Sequence, residues 1–227
     1  TKKTMIDLGT WNLSIPVGSP PATIETQQLL QGYDGKYFTS STANVTFWAP
    51  VTGTKTANAK YPRTELRETW SNGTLHNWFY PDADNFLSAK LKVIQVPSSG
   101  RVVIGQIHVY ESTQPLLKVE YQYQDATKDG IVVAKVRFHP NDKKARIFTV
   151  AEGIPLNETF NYQIHLNKAG LLSVKADNRY WNDRISATWS KEQLYFKAGV
   201  YTQDNTGYTS EGGKVMFFNL DADHNKG

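Results

Sequence analysis

None of the 227 residues is cysteine, so neither disulfides nor thiolate metal sites can hold this chain together or serve its chemistry. No apolar run is long enough to span a membrane as a helix and no signal peptide is recognisable, so no membrane partner is expected. A start at Thr1 rather than at a methionine suits a processed, exported form, secreted or periplasmic. Long Lys/Arg runs are missing and basic residues are interleaved with carboxylates, which argues against nucleic acid. The formal charge of +4 and pI near 9.0 favour an anionic partner without defining it. There is no HxH, HExxH or EF-hand pattern, so no metal site and no cofactor are expected; acidic turns at Asp82/Asp84 and Asp221/Asp223 offer at most weak calcium binding. Linkers and internal repeats are absent too, which makes residues 1–227 one domain, large enough to bury a sizeable core.

What the chain has in abundance is alternation of apolar and polar residues with period two. Strands are expected at 11–15, 44–49, 63–70, 85–96, 102–110, 116–123, 131–138, 144–150, 159–167, 171–176, 194–203 and 214–220, separated by turns such as 128–130 and 168–170. A short helical turn falls at 23–31, and the polar, aperiodic stretch 51–61 reads as a surface loop. Many antiparallel strands at short spacing, without βαβ alternation, predict a two-sheet sandwich, and a jelly roll manages the edges of such a chain well.

Three strands carry polar faces of unusual composition. In VVIGQIHVY, residues 102–110, alternation puts Ile104, Gln106, His108 and Tyr110 on one face against Gly105, Ile107 and Val109 on the other. In RTELRETW, residues 63–70, Arg63, Glu65, Arg67 and Thr69 oppose Thr64, Leu66, Glu68 and Trp70, so two cations flank a carboxylate. In LYFKAGVYTQ, residues 194–203, Tyr195, Lys197, Gly199, Tyr201 and Gln203 oppose Phe196, Ala198 and Val200. Adjacent in a sheet, these faces would pool two Arg, a Lys, a Gln, a His and several Tyr in one groove.

RTELR, QIH and YFKAGVY, in this order and at these separations, resemble the three signature strands of the alginate lyases of polysaccharide lyase family 7, a likeness that spans essentially the whole chain. The resemblance implies an all-β jelly roll of two antiparallel sheets with a substrate groove on one sheet. It also implies metal-free, endolytic cleavage of alginate by β-elimination, giving unsaturated oligosaccharides, and assigns catalysis to Arg63, Gln106, His108 and Tyr201.

The residues support that chemistry on their own terms. Eliminating across a 4-linked uronate means removing the weakly acidic C5 proton beside a carboxylate, so the developing dianion must be stabilised. Arg63 and Gln106 supply a charged fork and an amide for this purpose. His108, its pKa lowered by the Arg and Lys charges, is a natural base, and the Tyr201 phenol can protonate the departing O4. For mannuronate the resemblance implies that Tyr201 serves as both base and acid, and His108 as base for guluronate. Glu65, Arg67, Tyr195, Lys197 and Gln203 are expected to bind and orient substrate: Arg67 and Lys197 by holding neighbouring carboxylates, Glu65 by pinning the arginines or accepting sugar hydroxyls.

His76, His139, His165 and His224 have no comparable local constellation and read as surface or packing residues. The partner expected is alginate, met by a monomer. A non-catalytic carbohydrate-binding jelly roll is the competing function. A glycoside hydrolase ranks below it, because Arg beside Glu65 would keep that carboxylate ionised and a poor general acid, with Glu120 as the other candidate.

Overall fold

The computed structural model describes residues 6–227; the expected domain's first five residues lie outside them. In chain order the strands are β1 (Trp11–Ser14), β2 (Thr23–Ile24), β3 (Phe38–Ser40), β4 (Val45–Pro50), β5 (Arg63–Glu68), β6 (Asp84–Gln95), β7 (Arg101–Val109), β8 (Leu117–Gln124), β9 (Asp129–Val136), β10 (Arg146–Ile154), β11 (Phe160–Leu166), β12 (Leu171–Ala176), β13 (Arg179–Arg184), β14 (Leu194–Thr202) and β15 (Gly212–Asn225). They form two antiparallel sheets, β10-β9-β8-β7-β14-β5-β1-β2 and β13-β12-β11-β6-β15-β4-β3, the jelly-roll sandwich that the alternation predicts.

Between the sheets lies one continuous core to which nearly every strand contributes. Phe38, Phe47, Phe217 and Tyr162 form an edge-to-face chain through it, with centroids 5.2, 5.3 and 6.5 Å apart, the arrangement that aromatic quadrupoles favour. The one α-helix among the described residues, α1 (Thr26–Leu30), carries a capping box in which Glu25 and Gln28 satisfy each other's backbone N–H groups.

Three expectations shift. The last strand runs on to Asn225, so Asp221 and Asp223 are strand residues rather than an acidic turn. β13, Arg-Tyr-Trp-Asn-Asp-Arg, is an edge strand whose polar sequence hid it from periodicity. And β5, expected to run to residue 70, stops at Glu68: Thr69, expected on the open face, turns inward, its hydroxyl 3.1 Å from that of Thr26, while Trp70 is 52% exposed.

Candidate active site

β7, β14 and β5 are neighbours in the eight-stranded sheet, so the three polar faces do meet. Register sets Arg63 opposite Tyr201, Glu65 opposite Gly199 and Arg67 opposite Lys197; on the other side of β14, Lys197 faces Gln106 and Tyr195 faces His108. Side chains directly across a ladder lie within contact distance, so the pairing alone assembles the cluster.

The pairing is not regular. Between the same two rungs β8 advances one residue (Glu120 to Val119), β7 two (Val103 to Gly105) and β14 three (Ala198 to Tyr201). Each extra residue bends and twists its strand. The bulge overturns one expectation: Ile104, read as an open-face residue, is wholly buried in the core, and Val103 takes the face position between Tyr201 and Glu120. Tyr162 of the other sheet donates its hydroxyl to the freed Ile104 carbonyl at 2.8 Å. Gly105 permits that approach, since a Cβ there would lie 2.7 Å from the Tyr162 oxygen.

Glu65 anchors the cluster from beneath. It is fully buried, and its Oε1 meets Arg63 at 3.0 Å and Lys197 Nζ at 2.8 Å, while its Oε2 accepts from Gln106 at 2.7 Å. Burial opposes its charge, but Lys197 and then Arg63, with hydrogen bonds from Lys197 and Gln106, hold its pKa at about 2. It therefore pins the cations and does not reach a sugar hydroxyl. Burial, then Arg63, lowers Lys197 to about 8 against the pull of Glu65, so the ammonium persists at neutral pH.

His108 is pushed down to about 3, by burial first and by Lys197 second, and is neutral across the physiological range, so burial outweighs the neighbouring charges that the sequence points to. Its Nδ1 accepts the Val109 N–H at 2.9 Å and also lies 3.2 Å from the Val109 carbonyl and 3.2 Å from the Tyr195 hydroxyl. Accepting that N–H puts the ring hydrogen on Nε2; a hydrogen on Nδ1, given to the Val109 carbonyl or the Tyr195 hydroxyl in place of the N–H contact, leaves Nε2 with a free lone pair.

Burial raises the phenol pKa of Tyr201, partly offset by the charge of Arg63 and its hydrogen bond to the phenol, so Tyr201 keeps its proton. The Arg63 guanidinium stacks 3.8 Å over the Tyr201 ring, and its buried Nε–H has no acceptor among the described residues.

Two assigned residues face elsewhere. Arg67 stacks 3.6 Å over Tyr195 and spends its donors on the Glu68 and His76 carbonyls at 2.8 and 3.2 Å and on Asn77 Oδ1 at 2.6 Å, so it supports Tyr195 rather than presenting a free fork. Gln203 lies beyond β14, buried, with its amide turned back on the Tyr201 carbonyl at 3.2 Å. Residues that periodicity could not select complete the site: Ser14, Thr56 to Ala59, Ser112 and Thr113 enclose a cavity of about 190 Å³ with Arg63, His108 and Lys197. A larger cavity of about 670 Å³ lies on the opposite sheet and contains none of the cluster.

A second buried carboxylate lies on the same sheet. Glu120 pairs with Lys135 at 3.0 Å and accepts from Gln122 at 2.7 Å. Held ionised, Glu65 is a poor general acid for a glycoside hydrolase.

A jelly roll that sets a neutral imidazole, a protonated phenol and carboxylate-anchored cations side by side in a sheet groove is a polysaccharide lyase. The family model described as "Alginate lyase" matches residues 6–224. The crystal structure of an alginate lyase from Pseudomonas aeruginosa superposes with a TM-score of 0.92 at 44% identity, over 96% of this chain and 99% of that one. Alginate lyase A1-II′, a member of polysaccharide lyase family 7, gives 0.85 at 30% identity over 97% and 96%, and variants of it have been solved in complex with product (GGG) and with substrate (GGMG). An alginate lyase of Klebsiella pneumoniae is 28% identical over 96% of this chain and 89% of its own length. The chain belongs to the alginate lyases of polysaccharide lyase family 7.

Proposed function

We propose that this lyase binds internal stretches of alginate and cleaves them by β-elimination, releasing unsaturated oligosaccharides. The uronate carboxylate meets Arg63 and the second amide hydrogen of Gln106, and the unpartnered Nε–H of Arg63 gains an acceptor. Nε2 of neutral His108, in the tautomer with hydrogen on Nδ1, takes the C5 proton of guluronate; electron density moves into the C4=C5 bond, the C4–O4 bond breaks, and O4 takes its proton from Tyr201. For mannuronate Tyr201 serves in both steps. Lys197, still charged at neutral pH, adds to the positive field where the dianion develops. The observation that carries this reading is the pairing of a base kept neutral and a phenol kept protonated with cations that one buried carboxylate holds in place.

Endolytic binding draws support from the row of Lys135, Lys118, Gln106 and Lys197, each opposite the next across the ladders. Three inter-strand steps make this row roughly 14 Å long, more than a single sugar needs. The same reading treats residues 1–227 as one catalytic domain acting as a monomer. A polymer too large to enter a cell also requires a secreted or periplasmic enzyme. The test is a time course on alginate followed by ultraviolet absorbance and product size. Early mid-sized unsaturated fragments are expected; products without the double bond would indicate hydrolysis, an intact polymer a binding module, and short oligomers from the outset an exolytic enzyme.

A further inference from the structure

Glu68 closes β5 with its carboxylate on the face opposite Glu65, and the loop that follows β5, β14 and β15 all converge on it. Its Oε1 accepts from the Trp78 indole N–H at 2.8 Å and the Phe196 N–H at 3.0 Å, which fixes the group and aims Oε2 outward. Oε2 lies 2.5 Å from His224 Nε2 and 3.4 Å from His76 Nδ1. The other nitrogen of His224 is 2.7 Å from Asn85 Oδ1. Asn85 cannot be turned round, because its Nδ2 lies 3.1 Å from each of the Tyr80, Ala83 and Leu166 carbonyls. His224 Nδ1 therefore carries a hydrogen and donates, and Nε2 presents a lone pair to a carboxylate oxygen unless a positive species lies between them.

We propose that Glu68, His76 and His224 form a binding site for a divalent transition-metal ion, with zinc as the best match. Two imidazole nitrogens and one carboxylate oxygen form a zinc set with a fourth position for water, whereas calcium and magnesium favour oxygen donors throughout. The three donor atoms lie within 4.8 Å of one another. Ligands about 2.0–2.1 Å from a tetrahedral ion stand roughly 3.3–3.5 Å apart. The contact of His76 Nδ1 with Oε2, at 3.4 Å, already has that length, and the contact with His224 opens from 2.5 Å by under about 1 Å as the ion enters.

The surroundings suit a ligand set. His224 donates its Nδ1–H to an oriented amide oxygen, as ligating histidines do with the nitrogen that is not bound to metal, and His76 is held face-on by Trp70 with ring centroids 3.5 Å apart. Side-chain exposures of 14% for His224 and 13% for His76 leave a path for the ion. Bound there, it ties β5, the segment after it and β15 together beside the Arg67 contacts that support Tyr195. The role is structural and is separate from the elimination chemistry.

The test is calorimetric titration of the full chain, pre-treated with chelator, with zinc alone, beside calcium and magnesium, together with thermal unfolding and the visible spectrum of a cobalt-loaded sample. One zinc per chain, a raised Tm, no comparable effect of calcium or magnesium and four-coordinate cobalt bands are expected. His76→Gln and His224→Gln should each weaken zinc affinity by about tenfold or more. His76 is on a loop, so its variant stays informative if the His224 variant does not fold. Absence of saturable zinc binding in the wild type means that only a proton bridges the cluster, and binding that survives both substitutions puts the ion elsewhere; either result overturns the proposal.

Discussion

Replacing Glu65 with Gln removes the one carboxylate that holds Arg63 and Lys197 together while leaving shape and volume nearly unchanged. Both cations are only 12% exposed, so each would remain in a poorly solvated site with its counter-charge gone, and the new amide would turn either a hydrogen toward Lys197 or its oxygen away from Gln106. Removing one partner of a buried ion pair costs about 3–5 kcal/mol. For a chain of this length each kcal/mol moves Tm by about 2–4 °C, so Glu65→Gln should melt roughly 6–20 °C below the wild type. Lys197 offers partial relief: its pKa is already about 8 with Glu65 present and falls further without it, so it sheds its proton near neutral pH, and turnover drops with the lost charge.

The acid limb gives an independent check. Glu65 titrates at about 2 in the fold against an ordinary 4.5, so its contribution to stability is complete above pH 4.5 and disappears as pH falls toward 2. The wild type should lose stability across that window more steeply than the variant. Calorimetric melts from pH 2 to pH 8 measure both effects. Adding Lys197→Met to Glu65→Gln should recover part of the loss, since exchanging a whole buried pair for apolar groups is often close to neutral. If Glu65→Gln melts within about 2 °C of the wild type and keeps the same acid limb, the carboxylate is not the anchor of this site.

Tyr201→Phe should lower turnover by at least ~10²-fold with KM little changed, because it deletes a proton donor and almost no contact area; steady-state kinetics near the wild-type value would remove Tyr201 from the acid role. Tyr162→Phe leaves the buried carbonyl of Ile104 without its 2.8 Å partner and should cost about 1–3 kcal/mol, with a fall in turnover as the bulge relaxes beneath Gln106. Unchanged melting and kinetics would show that the bulge holds without that bond. Gln106→Glu sets a second carboxyl group 2.7 Å from Glu65 Oε2, where the two must share a proton, and it replaces the amide hydrogen offered to the substrate carboxylate with an oxygen lone pair where negative charge grows in the transition state. Turnover should fall by at least ~10² to 10³, below that of Gln106→Ala at neutral pH, and an active Glu variant would mean that Gln106 does not meet the reacting carboxylate.

The sequence made legible whatever depends on parity. Period-two alternation found the three strands with polar faces, and it kept Gln106 with His108 because they lie on a regular stretch of the β7–β14 ladder, and Arg63 with Glu65 and Lys197 with Tyr201 because the β5–β14 ladder is unbroken. It failed at Ile104 because a bulge resets parity and only the register of neighbouring strands reveals it. It failed at Trp70 because β5 ends two residues before it. Arg67 looked like a substrate fork because its partners, the His76 carbonyl and Asn77, come from a loop whose path no local pattern records. His224 lies far from Glu68 and His76 in the chain, so no spacing rule could join the three.

Behind each group assigned to the reaction stands a residue that does not react. Arg67 stacks on Tyr195, whose hydroxyl touches His108 Nδ1 and so bears on which tautomer the imidazole adopts. Glu65 fixes Arg63, and Arg63 lies across the Tyr201 ring. Tyr162 reaches through the core to hold the bulge that directs Gln106 outward. Arranging dipoles and charges before substrate arrives removes their reorganisation from the barrier, and strands locked from both faces do this better than loops. Substitutions in this supporting layer should therefore depress turnover more than substrate binding, whereas changes in Thr56 to Ala59, Ser112 and Thr113, which only border the cavity, should act mainly on KM.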